Sequence, residues 1–106
     1  MPKYLFMVSY TADGAKGVLK EGGSKRRAAA EQAAKAAGAK IEEFYFAFGD
    51  TDVFVIADAP DHASSAAVSL AVAASGAARI KTVVLMSPEE MDQAAKKKVG
   101  YRAPGQ

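Results

Sequence analysis

The 106-residue chain contains no cysteine, which excludes a disulfide framework, a zinc–thiolate centre and a thiol nucleophile. It has a single histidine, His62, standing alone at a predicted helix start, so no structural or catalytic metal is expected. Charge of one sign is also lacking. The 14 Lys and Arg face 12 Asp and Glu, a net charge of +2, too near neutral to imply a nucleic-acid partner. No apolar run approaches the roughly 20 residues of a membrane span. No Walker motif, dinucleotide-type glycine motif or Gly-x-Ser-x-Gly element is present, and no cofactor is expected. Met1, Pro2 and Lys3 lead straight into a strand-like segment, so no signal peptide is expected and a cytoplasmic location is the default. The length fits one domain, residues 1–106, with no room for a second core.

What the chain has in abundance is alanine. There are 24 alanines, while Val, Ile, Leu, Met and Phe together number 25. Alanine favours helix but buries little area, so the large hydrophobes should sit mainly in strands. Helix faces made of small side chains should let the helices lie close to a sheet.

Tyr4 to Tyr10 reads as a first strand, apolar on both faces: Tyr4, Phe6, Val8 and Tyr10 on one, Leu5 and Met7 on the other. Thr11 is the expected N-cap of a short helix over Gly14 to Lys20. Gly22 and Gly23 should break that helix, with Ser24 capping a second one from Lys25 to Ala37 that Gly38 stops. Ile41 to Phe48 is the second strand, with Phe44, Phe46 and Phe48 on one face as packing residues. Gly49-Asp50-Thr51 is a tight turn into the third strand, Asp52 to Asp58, completing a hairpin. Asp61 should cap a helix running to about Ser75, with Ala63, Ala66, Ala67, Leu70 and Ala74 on one face. Arg79 to Met86 is the fourth strand. Ser87-Pro88-Glu89-Glu90 is a strong start for a short helix to about Lys97, and residues 99–106 form an extended tail.

This order predicts an α+β, ferredoxin-like split βαβ fold (βαββαβ) with a four-stranded antiparallel sheet and a short C-terminal helix. Right-handed crossovers place strands one and three in the middle. Glu42, Glu43 and Lys81 fall on strands two and four, as suits edges. Both helices must cover one face, yet the sheet is apolar on both. A second copy of the same sheet is the simplest cover, so a homodimer or an oligomer of dimers is expected. Tyr101 should anchor the tail on the body or on a neighbouring subunit.

Tyr4 to Thr11 (YLFMVSYT), Gly49 to Asp52 (GDTD), Ser75 to Leu85 (SGAARIKTVVL) and Gly100 to Gly105 (GYRAPG) together resemble the GYD-domain family of small bacterial and archaeal proteins. Gly49 and Asp52 match a Gly-x-Tyr-Asp form of its naming element, whereas Thr51 stands where tyrosine is expected. The resemblance implies a dimeric α+β barrel, a grouping that also holds small oxygenases, isomerases, haem-degrading proteins and ligand-sensing domains. It implies no activity of its own.

The topology brings Tyr10, Thr11, Phe48, Asp52 and Arg79 to one end of the sheet, which predicts a ligand site there. Tyr10 and Phe48 would supply apolar walls, Arg79 and a helix N-terminus a positive field, and Asp52 an orienting carboxylate. The plainer alternative is an Asp52–Arg79 ion pair that merely ties strand ends. Lys25 and Arg26 occupy the first turn of a helix, where positive charge is disfavoured, which makes them a candidate anion site, the plainer alternative being a solvated charged turn. The resulting expectation is a binding module for an apolar or mildly anionic small molecule. The alternative is a cofactor-free oxygenase or isomerase using Tyr10, Asp52 and Arg79, and a third reading is an assembly protein without a ligand.

Overall fold

The computed structural model describes the whole chain, Met1 to Gln106. The elements are β1 (Lys3–Tyr10), α1 (Ala12–Glu21), α2 (Gly23–Ala36), β2 (Lys40–Phe46), β3 (Val53–Asp58), α3 (His62–Ala74), β4 (Ala78–Leu85) and α4 (Pro88–Lys96). The strands form one antiparallel sheet in the order β2-β3-β1-β4, the ferredoxin-like α+β arrangement, with the least charged strands in the centre.

The ladder sets the two faces. Tyr4 lies opposite Ala57 and Val84, Phe6 opposite Val55 and Thr82, and Val8 opposite Val53 and Ile80. Because side chains alternate along a strand, these residues share the face toward the helices. The core is here: Tyr4, Phe6, Val53, Val55, Ala57 and Ala59 are buried, with Val8, Tyr10, Ile41, Phe44 and Ile80 packed around them. Leu5, Met7, Phe54, Ile56, Tyr45 and Val83 belong to the other face, which no element of the chain covers. At one corner of that open face the Lys3 ammonium bridges Glu42 at 2.5 Å and Asp58 at 3.0 Å. Bonds to Glu42 and then Asp58 raise the Lys3 pKa, and bonds to Glu42 and Lys3 hold the Asp58 carboxyl below its ordinary range.

Local chemistry sets the helix starts. The Thr11 hydroxyl accepts from the Gly14 N–H at 3.3 Å and donates to the Gly76 carbonyl at 2.8 Å. The Thr11 N–H bonds the Ala77 carbonyl at 2.9 Å. One residue thereby caps α1 and ties it to the loop before β4. Asp61 caps α3 through the Ser64 N–H at 2.7 Å, a bond that holds its carboxyl below the ordinary range. Ser87 and Glu90 close a reciprocal capping box on α4, with bonds of 3.1 and 3.0 Å.

Three local expectations are corrected. Gly22 alone separates α1 from α2; its φ of 81° suits glycine, and the helix resumes at Gly23, so Ser24 lies inside α2 rather than capping it. β2 stops at Phe46 because the hairpin closes there, the Ala47 N–H bonding the Asp52 carbonyl at 2.8 Å. Phe48 is left beyond the strand, fully exposed. A bulge between Ile41 and Glu43 also resets which residues face the helices. In α3, Ser65, Val68, Ser69 and Val72 turn inward and Leu70 is 70% exposed. Nearly every position of that helix is Ala, Ser or Val, so its sequence offers too little contrast to name a face.

Candidate functional site

α2 leans on β2 and α3 on β4, at opposite edges of the sheet. Their facing sides are alanines and small residues: Ala29, Ala30, Ala33 and Ala34 from α2, with Ala67, Val68, Ala71 and Val72 from α3. These side chains are too short to meet across the central strands. A half-open cavity of about 560 Å³ remains between them, floored by Phe6, Val8, Val53, Val55 and Ile80. The alanines of α2 and α3 leave the space between the two helices, above the central strands, unfilled.

The lining is almost wholly apolar. Its polar members are Arg26, Ser65 and Ser75, together with the Tyr10 hydroxyl. Tyr10 and Arg26 stand together at the end where β1 finishes. Burial raises the Tyr10 pKa, and the adjacent Arg26 guanidinium partly opposes this. Arg26 is half-buried and donates to Glu21 at 3.3 Å, which uses one of its five N–H groups. Ser65 is 2% exposed, and its hydroxyl has no hydrogen-bond partner.

Of the residues assigned from sequence to the end of the sheet, Tyr10 lines this cavity. Thr11 is committed to helix capping, as above. The Asp52 carboxylate accepts from the Tyr10 backbone N–H at 2.8 Å, and so fixes the strand that carries Tyr10. Arg79 pairs in register with Ser9 and turns to the open face, so no Asp52–Arg79 ion pair forms. Phe48 stands off in the hairpin turn. Of the two cations marked for an anion, Arg26 joins the cavity and Lys25 is exposed.

A second feature was not read from the sequence. The Tyr4 hydroxyl and His62 Nδ1 lie 2.6 Å apart, joining a fully buried strand residue to the start of α3. They line a shallower groove with Ser69 and Thr82, and Ser65 lies where that groove meets the cavity. The topology does put the start of β1 and the start of α3 at the same end of the sheet, and that was the available signal. No cluster of His, Asp and Glu side chains suited to a metal ion is formed.

No curated protein and no solved structure matches the chain. The GYD domain does match, over residues 4–95, which takes in every strand and most of α4. The chain therefore belongs to the GYD domain family.

Proposed function

We propose that the protein is a small-molecule-binding module whose ligand has an apolar body and an anionic group. The cavity carries this reading. Half open, it leaves a continuous apolar lining facing solvent, at a free-energy cost that grows with the area exposed. Water fills a site of this kind poorly, because it finds too few polar partners. An apolar guest removes that cost, and Arg26 beside Tyr10 gives an acid group one fixed place to bind. The open face of the sheet supports assembly as a homodimer, which leaves the cavity on the outer side of each subunit.

The enzyme alternative relied on Tyr10, Asp52 and Arg79 acting together. They do not all converge: Asp52 accepts from the Tyr10 backbone N–H, but Arg79 pairs with Ser9 and faces away. Binding is therefore the reading the geometry favours.

The test is saturable uptake of anilinonaphthalene sulfonate, an apolar fluorophore with one anionic group. Wild-type protein should bind one equivalent per chain. Ala30→Phe places a ring in the cavity and should abolish that binding, with the secondary structure retained by circular dichroism. Ala33→Met serves as a gentler second block. Undiminished binding in both folded variants, or no uptake by the wild type, overturns the proposal.

A further inference from the structure

The two ends of the cavity differ in chemistry, and that difference specifies its guest beyond an apolar body and an acid. β1 rises to Tyr10, and α2 descends from there, so Arg26 and Tyr10 mark one end. α3 rises from His62, so Ser65 stands in the first turn of a helix that begins at the opposite end. The interval between them follows the length of β1 from Tyr4 to Tyr10, about 20 Å at the rise of an antiparallel strand. Between the ends the lining is alanine, valine, phenylalanine and isoleucine.

Ser65 is the informative residue. A buried hydroxyl without a partner is costly, and native proteins satisfy such groups almost everywhere. A serine inside a helix ordinarily bonds back to a carbonyl one turn earlier. Ser69 does this, donating to the Ser65 carbonyl at 3.3 Å, and it also meets Thr82 at 2.6 Å. Ser65 does neither, although its hydroxyl is enclosed and it lines the cavity. Alanine, already used at six of the thirteen positions of α3, would avoid the penalty altogether. A polar group brought by the guest gives the hydroxyl its missing partner.

We propose that the ligand is an elongated amphiphile with a polar group at each end: an acid held by Arg26 and the Tyr10 hydroxyl, and a hydroxyl or carbonyl bonded to Ser65. This rests on the binding reading above and adds the ligand's orientation and its second polar group. The acid enters at the Arg26 end, where Glu21 leaves most of the guanidinium donors available. The apolar chain lies along the alanine faces of α2 and α3. The far group stops at Ser65.

The experiment compares caprylic, lauric and palmitic acids with their ω-hydroxy derivatives, by isothermal titration of the full chain. At the best-fitting length the ω-hydroxy acid should bind about fivefold to tenfold tighter than the plain acid, the worth of one hydrogen bond. Ser65→Ala should erase that preference, the plain and ω-hydroxy acids of one length then binding alike. Arg26→Gln should weaken both acids by a larger factor than it weakens lauryl alcohol. Without ligand, Ser65→Ala should match or exceed the wild-type melting temperature, because it deletes an unpartnered polar atom. A lower melting temperature means the hydroxyl serves the fold, and this inference falls. Plain acids that bind with no ω-hydroxy preference at any length also overturn it, while the binding reading survives. If no acid and no alcohol binds, both fall together.

Discussion

Gly14 shows how one residue fixes the approach of two elements. It lies in the first turn of α1, buried, where the helix passes the Ala77 carbonyl just before β4. A Cβ there would collide with that carbonyl and press on the Tyr10 ring. Gly17, one turn further on, has open space around its missing Cβ. Gly14→Ala should therefore destabilise the protein by at least about 2 kcal/mol despite alanine's better helix propensity. Gly17→Ala should stabilise it by about 0.5–1 kcal/mol. Denaturant melts of the two variants check this; equal effects would mean that α1 can slide away from Ala77. Sequence alone marked Thr11 and Asp61 as caps because side-chain oxygens before helices have one dominant use. It could not show that the Thr11 hydroxyl also donates to Gly76, 65 residues away, because nothing local encodes that bond. Ser65 was equally illegible: one serine in an alanine-rich helix becomes informative only once its burial is known.

Among the elements, strands were far more legible than helices, for a physical reason. Strand residues alternate Tyr, Phe and Val with Leu, Met and Ile against a two-residue period, so the sequence groups Val53, Val55 and Ala57 on one face of β3, and the ladder with β1 shows that this face turns inward. The helices are built from residues of nearly equal size and polarity. Their positions follow from glycines and caps, but their faces do not follow from the letters. For the same reason the cavity was invisible. It is a shortage of side-chain volume between α2 and α3, a property of two distant segments taken together. The caps also separate elements that belong to the cooperative body from one that does not. Thr11→Ala removes bonds joining α1 to the β4 side of the sheet, and should lower global stability by about 1–2 kcal/mol. Ser87→Ala removes an equally well-formed cap, yet α4 has no buried residue and packs on no other element to any extent. That variant should leave the global melt unchanged and increase only amide exchange within 88–96. A matching drop in the global melting temperature for both would show that α4 folds with the body.

The whole molecule measures 56 × 32 × 22 Å, with a radius of gyration of 16.9 Å, where a chain of about 100 residues ordinarily has about 13 Å. The excess fits a C-terminal arm, α4 and the tail to Gln106, carried outside the body. The expectation that Tyr101 anchors this tail is not met within the chain, where its ring is 75% exposed, with Val99 at 79% and Met91 at 56%. The open sheet face supplies the reason to look to a second copy. Four strands at about 4.8 Å spacing and eight residues at about 3.3 Å give a projected area near 500 Å². A standard interface buries about 800 Å² on each partner. Side-chain relief adds to the projected figure, but the face by itself reaches only the low end of that range. An arm that crossed onto a second copy would bring the total to a normal size and would shelter Met91, Val99 and Tyr101. Light scattering should accordingly give twice the 11.0 kDa chain mass. Deleting residues 99–106 should leave the far-ultraviolet spectrum of the body unchanged, because the tail contributes no helix or strand. The same deletion should raise the dimer dissociation constant at least about tenfold, as loss of one buried aromatic anchor requires. Tyr101→Ala in the full chain should reproduce most of that change. If sedimentation equilibrium finds the deletion and the wild type dissociating alike, the arm lies outside the interface and the sheet face alone must hold the dimer.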